Sequence, residues 1–188
     1  MTDLGAIFRR LPRLVTPRLV LRPLEAGDAE AVFAYARDEE VARYVSWRCH
    51  RTIDDARQFV QRMLGAYAAG RPGTWALEHR AAAVLIGTAG LANVNFATRV
   101  GEVGYVLARP YWGQGLATEA LREIIRFAIT ELDLERIEGR CHADHIASAR
   151  VMEKCGMLLE RRVEPGPLLA DQLPAFRLYA INRFKREN

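Results

Sequence analysis

Apolar and polar residues follow two periods along this chain, and the two periods predict strands and helices in alternation. Period-two alternation and short apolar runs predict seven strands: residues 19–24, 74–78, 84–93, 102–107, 136–141, 157–163 and 176–182. Helical spacing predicts five helices: residues 29–37, 39–44, a longer helix between Thr52 and Gly70, a segment that ends near Leu132, and residues 147–155. The short gaps between the three strands from 74 to 107 suit antiparallel neighbours.

Capping residues and glycines mark where several of these elements begin or bend. Asp28 precedes a predicted helix as its N-cap, and Thr52 with Asp55 has the spacing of a capping box. Gly87 and Gly90 lie inside one predicted strand. Glycines at such positions predict a bulge or the close approach of another backbone.

The whole chain of 188 residues is predicted to form a single domain, because this length can bury one hydrophobic core. Residues 1–16 show no clear period and are predicted as a basic leader, with Arg9, Arg10 and Arg13 in solvent. The other elements predict an α/β fold, in which a mixed sheet of about seven strands has helices on both faces.

Charge and hydropathy limit the kinds of ligand and partner that this protein is expected to bind. Lys and Arg number 27 and Asp and Glu number 23, and the net charge of +4 suits an anionic ligand. The excess is too small and too dispersed to indicate nucleic acid as a partner. No apolar run approaches the ~20 residues of a membrane span, so no membrane partner is expected.

Three cysteines, Cys49, Cys141 and Cys155, show neither a pairing pattern nor the spacing of metal ligands. Reduced thiols in a cytoplasmic protein are the simplest interpretation. The segment from Cys141 to His145 contains ligand types of a zinc site, but a second clustered pair is missing. We therefore expect no metal.

A glycine turn leads directly into the helix that ends near Leu132. Gly113 and Gly115 lack Cβ atoms, so a bulky anion can approach their backbone closely. The first N–H groups of the helix have no partner within it and lie at the positive end of its dipole. The pattern predicts a phosphate site, and an ordinary tight turn is the alternative. The Gly-Lys-Ser/Thr ending of a P-loop is absent, and residues 108–112 separate the glycines from the strand, unlike a dinucleotide fold.

The segment Trp-Gly-Gln-Gly-Leu-Ala-Thr-Glu-Ala, which begins at Trp112, resembles the pyrophosphate loop of the Gcn5-related N-acetyltransferases. It is most similar to the branch that acetylates the N-termini of ribosomal proteins. Three further stretches match in order: Thr-Pro-Arg-Leu-Val-Leu-Arg-Pro from Thr16, Glu-Val-Gly-Tyr from Glu102, and residues 142–156. The resemblance covers nearly the whole chain from Thr16 to Asn182.

The resemblance implies the acyl-CoA N-acyltransferase fold, with acetyl-CoA as cosubstrate. A backbone N–H of Val106 or Leu107 would meet the acyl carbonyl, and pantetheine would pair along Val106 to Ala108. The pyrophosphate would lie on residues 113–118. The implied cofactor-binding residues are Val106, Leu107, Ala108, Trp112, Gly113, Gln114, Gly115, Leu116, Ala117, Thr118, His145 and Ser148.

Two residues are candidates for the chemistry that the resemblance implies. Glu102 begins the strand whose other end would hold the thioester, and it could accept the amine proton through a water. A solvated acid at a strand end is the alternative. Many family members carry a Tyr where this chain has Met152, and the ribosomal-protein branch has a Ser where this chain has Ser148. Ser148 would hydrogen-bond the thiol sulfur, or it would cap its helix.

Tyr44 and Trp47 lie in the region that lines the acceptor site in the family, and packing in the core is the alternative for each. His145 stands where Asn is usual. It would donate a hydrogen bond to the cofactor arm, or it would titrate in the reaction. We favour the positional role, and Asp144, if close, would raise the pKa of His145. Pro110 and Met157 are further departures from the family pattern.

Together these features predict transfer of an acetyl group to a primary amine by direct attack, with a protein N-terminal α-amine as one acceptor class. A small-molecule amine is an alternative acceptor. A non-catalytic acyl-CoA-binding module is a second alternative, which the absent Tyr and the changed Asn motivate. The expected partner is the amine substrate, and a homodimer is left open.

Overall fold

The computed structural model describes residues 4–163 and 175–183, which form eight strands and six α-helices. The strands are β1 (Leu14–Val15), β2 (Leu19–Pro23), β3 (Thr74–His79), β4 (Val84–Asn95), β5 (Val100–Leu107), β6 (Arg136–His142), β7 (Leu158–Val163) and β8 (Phe176–Asn182). The helices are α1 (Leu4–Arg9), α2 (Ala29–Ala36), α3 (Glu39–Ala42), α4 (Ile53–Ala68), α5 (Leu116–Thr130) and α6 (Ile146–Lys154). Residues 164–174, between the last two predicted strands, lie outside the described residues.

One mixed sheet holds all eight strands in the order β1-β2-β3-β4-β5-β6-β8-β7. Every neighbouring pair is antiparallel except β5 and β6, which are parallel. The predicted antiparallel run of β3, β4 and β5 is therefore confirmed. The strand that the sequence pattern missed is β1, which has only two residues and is too short to show alternation.

The parallel pair β5 and β6 separates part-way along its length. Registered pairs run from Val100 opposite Arg136 to Val103 opposite Gly139. Beyond that pair, β5 continues to Leu107 and β6 continues to His142 beside β8. A wedge-shaped opening therefore lies between the two strands, in the middle of the sheet.

Helices cover both faces of the sheet, as the element order predicts. On one face α5 packs with Phe127 edge-on to Trp75 of β3, at 5.5 Å between ring centroids. On the other face Tyr35 of α2 hydrogen-bonds Thr88 of β4 at 3.3 Å. Since successive side chains of a strand alternate between faces, each residue of β5 can be assigned to one helical layer.

Of the basic leader predicted for residues 1–16, the structure describes residues 4–16, in which Arg9, Arg10 and Arg13 are exposed as predicted but the segment is not a solvated tail. Phe8 is fully buried and Leu11 is 5% exposed, so both belong to the hydrophobic core. The indole N–H of Trp75 donates to the Pro12 carbonyl at 2.8 Å, which fixes this segment to the sheet. A six-residue helix has too few turns to show a period, which explains why the pattern missed it.

Local signals were interpreted correctly at Thr52, whereas Asp28 occupies the predicted N-cap position of α2 without capping it through its side chain. Thr52 and Asp55 form the predicted capping box of α4. The Asp28 side chain does not cap α2. It accepts two hydrogen bonds from Arg22 at 2.7 and 2.8 Å, because that partly buried guanidinium requires an anionic partner.

The predicted close approach of another backbone is confirmed at Gly87 and Gly90. A Cβ added at Gly87 would lie 2.1 Å from the Val106 carbonyl oxygen, and one added at Gly90 would lie 2.4 Å from that of Gly73.

Candidate active site

The glycine turn between β5 and α5 has the backbone that an anion site needs. Gly113 and Gly115 have φ angles of 73° and 77°, which is the left-handed region that favours glycine. Gly115 is the N-cap of α5, and the first backbone bond of the helix runs from the Glu119 N–H to its carbonyl at 3.0 Å. A Cβ on Gly113 would meet no atom within 4 Å. The turn therefore leaves room for a phosphate group beside the free N–H groups of the helix.

Arg18, the residue before β2, holds this turn in place. Its Nη1 donates to the Gln114 carbonyl at 2.9 Å, and its Nε donates to Glu119 at 2.7 Å. Glu119 also accepts the Arg18 backbone N–H at 2.8 Å and the Thr16 hydroxyl at 2.6 Å. Burial opposes ionisation of Glu119, but these bonds outweigh it and lower its pKa. The loop is thus fixed by residues about one hundred positions earlier in the chain.

A groove of about 650 Å³ continues from the turn along α5 to the end of α6. Basic side chains predominate in it: Arg18, Arg122, Arg126 and Lys154, with Glu119 and Glu123 as the acids. Arg122 donates to the Lys154 carbonyl at 2.7 Å, which ties α5 to α6 at this point. The turn and the groove together fit a ligand with several phosphate groups.

The edge of β5 that faces the opening offers its own backbone groups. The Ala108 N–H donates to the Ile86 carbonyl of β4 at 2.7 Å. Since amides alternate in direction along a strand, Val106 is also directed to β4, whereas Leu107 faces the open side. The indole N–H of Trp112 confirms this direction, because it donates to the Leu107 carbonyl at 2.7 Å. Of the two predicted positions, the alternation favours Leu107 as the donor to an acyl carbonyl.

Ser148 lies on the α5–α6 side of the opening, and it is 8% exposed. The helix cap is His145, so Ser148 occupies the third helical position and the capping alternative is wrong. Its Oγ lies 2.8 Å from the hydroxyl oxygen of Tyr105 on β5. Burial raises the pKa of the neighbouring Cys141 thiol, while Arg177 and a hydrogen bond with Ser148 oppose that rise. Ser148 and Tyr105 are thus in hydrogen-bond contact on this face of the opening.

Glu102 faces the other side of the sheet, because it alternates with Val103 and Tyr105. Its carboxylate accepts a hydrogen bond from Asn93 at 3.1 Å and lies 3.6 Å from the guanidinium of Arg140. The side chain is 24% exposed, so water reaches it. Glu102 and Ser148 therefore approach the opening from opposite faces.

Tyr44 joins the segment after α3 to the turn before α6. Its ring stacks on His145 at 4.7 Å and lies 5.2 Å from His142. Burial lowers the pKa of His145, and His142 lowers it further. The expected rise caused by Asp144 is wrong, because that carboxylate lies 3.7 Å from His142 instead.

Trp47 packs partly against the hydrophobic core, with its ring 5.3 Å from His50. Its place at the acceptor stays a prediction. Among the described residues, no group of His, Cys, Asp and Glu side chains is arranged to hold a metal ion. No helix within residues 4–163 and 175–183 is long and apolar enough to cross a membrane.

Comparisons with known proteins agree with this geometry. A family model described as an acetyltransferase (GNAT) domain matches residues 18–158. The chain belongs to the GNAT acetyltransferase family. The uncharacterised N-acetyltransferase YoaA of Bacillus subtilis is 33% identical over 149 residues, which cover 79% of this chain and 84% of that protein. The ribosomal-protein-serine acetyltransferase of Escherichia coli is 28% identical over 96 residues, which cover 51% of this chain and 54% of that protein.

A solved GNAT-family acetyltransferase from Bacillus anthracis has the same fold, with a TM-score of 0.80 at 27% identity. The match covers 91% of this chain and 98% of that one. This GNAT protein is therefore an acetyl-CoA-dependent N-acetyltransferase with the predicted fold, and it resembles the ribosomal-protein branch.

Sequence reasoning about this acetyltransferase missed Tyr105 and the contacts of Arg18. Both residues stand inside matched stretches, Glu-Val-Gly-Tyr and Thr-Pro-Arg. Period-two alternation does place Tyr105 on the face opposite Glu102. No local pattern, however, shows that Thr16 and Glu119 meet across 103 positions of the chain.

Proposed function

We propose that this acetyltransferase moves the acetyl group of acetyl-CoA directly onto a protein N-terminal α-amine. The observation that supports this proposal most directly is the opening between β5 and β6, which Glu102 and Ser148 approach from opposite faces of the sheet. Such an arrangement lets an amine and a thioester meet from two sides without sharing a channel. The chain's own residues can then serve the two halves of the reaction separately.

The phosphate groups of acetyl-CoA would lie on the glycine turn and in the basic groove beside α5. The Leu107 N–H would bind the acyl oxygen, and it would bind most strongly when that oxygen becomes an oxyanion. His145 would orient the cofactor arm as a neutral donor, since burial lowers its pKa. This assignment explains why a histidine can stand where the family has an asparagine.

The chemistry needs one proton to leave the amine and one group to stabilise the departing sulfur. Glu102 would accept the amine proton through a water, as the C–N bond forms. The C–S bond would break with its electron pair on sulfur, and the Ser148 hydroxyl would donate a hydrogen bond to that sulfur. Solvent then protonates the thiolate. Because the amine attacks the thioester directly, no acetyl-enzyme is required.

Similarity to the ribosomal-protein-serine acetyltransferase of Escherichia coli supports a protein acceptor. Membership of a family of enzymes favours catalysis over the binding-only alternative. We also place the enzyme in the cytoplasm, because Cys49, Cys141 and Cys155 are all unpaired. A homodimer stays a prediction, which analytical ultracentrifugation tests.

Thiol release from acetyl-CoA tests the acceptor. The panel holds peptides with free N-termini, the same peptides with blocked N-termini, and small amines such as spermidine. We expect release with the free N-termini and mass spectrometry to find the acetyl group on the α-nitrogen. Release with small amines alone would replace the protein acceptor by a small-molecule one, and no release above the control without acceptor would remove the proposal.

A further inference from the structure

The side chain of Tyr105 lies on the α5–α6 face of the sheet, beside the opening between β5 and β6, and contacts α6 there. The last registered pair of these strands is Val103 with Gly139, and Tyr105 follows two residues later on β5. Its hydroxyl oxygen lies 2.8 Å from Ser148 Oγ and 2.9 Å from the Ser148 carbonyl oxygen. Because α6 follows β6 along the chain, these contacts join the two arms of the opening where main-chain pairing ends.

A count of hydrogens limits these bonds to two arrangements. A tyrosine hydroxyl carries one hydrogen, and a carbonyl oxygen can only accept. While Tyr105 donates to the Ser148 carbonyl, the 2.8 Å contact must be a bond from the Ser148 hydroxyl to Tyr105. In this state Ser148 has no hydrogen to offer to a sulfur atom. Rotation of the Tyr105 hydroxyl towards Ser148 Oγ releases that hydrogen.

We propose that Tyr105 is a positioning residue for the departing thiolate, and that it acts by moving its hydrogen bond from the Ser148 carbonyl to the Ser148 hydroxyl. This inference rests on the proposed function, in which Ser148 contacts the sulfur of CoA. As sulfur takes the electron pair of the C–S bond, Ser148 turns its hydrogen to sulfur and Tyr105 turns its own to Ser148 Oγ. Two hydrogen bonds exist before the step and two exist after it.

Neither hydroxyl gives up its proton in this step. Burial raises the pKa of Tyr105 well above its ordinary range, although the hydrogen bond with Ser148 opposes the rise. A phenol of raised pKa does not protonate a thiolate, whose ordinary pKa is about 8.5. Tyr105 therefore contributes a hydrogen bond, and the thiolate takes its proton from solvent.

Steady-state kinetics of Tyr105→Phe, Ser148→Ala and the double variant test the inference. We expect each single variant to lower kcat about tenfold, the effect of one lost hydrogen bond, with little change in the KM for acetyl-CoA. The double variant should be no slower than Ser148→Ala, because Tyr105 acts only through Ser148. With acetyl-seleno-CoA the losses should shrink, since a less basic leaving group needs less stabilisation.

Tyr67→Phe is the matched control. The Tyr67 hydroxyl donates to the Thr74 carbonyl and accepts the Leu24 N–H at 3.2 Å, in a part of the fold away from the opening. This variant loses a comparable buried bond, and its kcat should stay at the wild-type value. Thermal unfolding of all variants checks that loss of activity is not loss of folded protein.

Different outcomes separate this inference from the proposed function. Normal kcat in Tyr105→Phe beside a slow Ser148→Ala, or losses that multiply in the double variant, would overturn the role of Tyr105 alone. Normal kcat in Ser148→Ala would overturn both roles at the thiolate. A structure with bound CoA decides the matter even if Tyr105→Phe fails to fold. Its sulfur must lie within about 3.5 Å of Ser148 Oγ, and a sulfur out of reach rejects the inference.

Discussion

Replacing Glu119 with Gln tests whether one carboxylate holds the phosphate-binding turn. The Glu119 side chain is 15% exposed, and it accepts bonds from the Thr16 hydroxyl and from the backbone and guanidinium of Arg18. Arg18 in turn donates to the Gln114 carbonyl at 2.9 Å. Glu119 therefore fixes the arginine that fixes the turn.

The expected loss of folding free energy follows from the number of Glu119 hydrogen bonds that Gln can keep. Gln has the same length as Glu, but one accepting oxygen becomes an NH₂ group that can only donate. At least one bond from Arg18 or Thr16 is then lost, and a bond to a charged group contributes about 1.5–3 kcal/mol. Because Arg18 is 47% exposed, solvent screening favours the lower end, about 1.5 kcal/mol of folding free energy. The loosened turn should raise the Kd for acetyl-CoA about tenfold, or about 1.4 kcal/mol.

Urea unfolding at several pH values and calorimetry with acetyl-CoA measure these two effects. Burial works against the charge of Glu119, but the bonds from Thr16 and Arg18 bring its pKa below the ordinary 4.5. A lowered pKa adds stability that is fully present above the unfolded value and is lost as pH falls through the folded value. The stability difference between wild type and Glu119→Gln should therefore be full at neutral pH and narrow below pH 4.5.

Asp54→Asn is the control for the loss of a carboxylate. Asp54 pairs with Arg57 on the exposed face of α4 at 2.9 Å. Its replacement should change stability by no more than about 0.5 kcal/mol and leave the Kd for acetyl-CoA unchanged. A Glu119→Gln enzyme with the wild-type Kd and with a stability difference independent of pH would refute the reasoning.

Three further substitutions test the site. Gly115→Val should weaken acetyl-CoA binding at least tenfold, about 1.4 kcal/mol, because its side chain would intrude where the pyrophosphate would meet the backbone and would be strained at a φ of 77°. Unchanged calorimetric affinity in a folded variant would reject the phosphate turn. Glu102→Gln should lower kcat by roughly 10²–10⁴ with a normal KM for acetyl-CoA, and the loss should shrink at high pH; near-normal kcat at pH 7 would leave Glu102 as a solvated acid. His145→Asn should keep most activity and the wild-type pH profile, because a histidine of lowered pKa is neutral at pH 7. His145→Ala should bind acetyl-CoA more weakly. An Asn variant as inactive as the Ala variant would place His145 in the chemistry.

Long periodic segments were predictable from the sequence, and short ones were not. The helix α5 shows its apolar stripe over 15 residues, and β5 and β6 alternate between buried and less buried positions along most of their length. The segments α1 and β1 have six and two residues, so neither completes enough of a period to be detected. They form because Phe8 of α1 and Leu14 of β1 bury their side chains against the core, and burial in the folded chain is not visible in local order.

Within the site, local features were predictable from the sequence, and contacts between residues of different strands were not. The glycine turn is local, and it follows from Gly113 and Gly115, whose left-handed φ angles are ones that residues with a Cβ atom rarely adopt. The partners of Glu102 are Asn93, on the neighbouring strand, and Arg140, on the far arm of the opening. Which side chains face each other there depends on where the β5–β6 pairing ends. Only the register of the two strands determines that point.

Many members of the family have a tyrosine on the helix that corresponds to α6, and this chain does not. Loss of a motif residue does not by itself mean loss of the hydrogen bond that the reaction needs. Its place is filled by Met152, which is 1% exposed and packs where a side chain at Gly139 would have to lie. That position therefore serves the core in this enzyme. A phenol hydroxyl still reaches Ser148, but it comes from Tyr105 on β5, the other arm of the opening. In the proposed mechanism the donor to the departing sulfur is Ser148, on α6 itself, and Tyr105 supplies the hydrogen bond behind it. The absence of a tyrosine at position 152 therefore does not indicate loss of catalysis, because Ser148 and Tyr105 together stabilise the departing sulfur in the proposed mechanism.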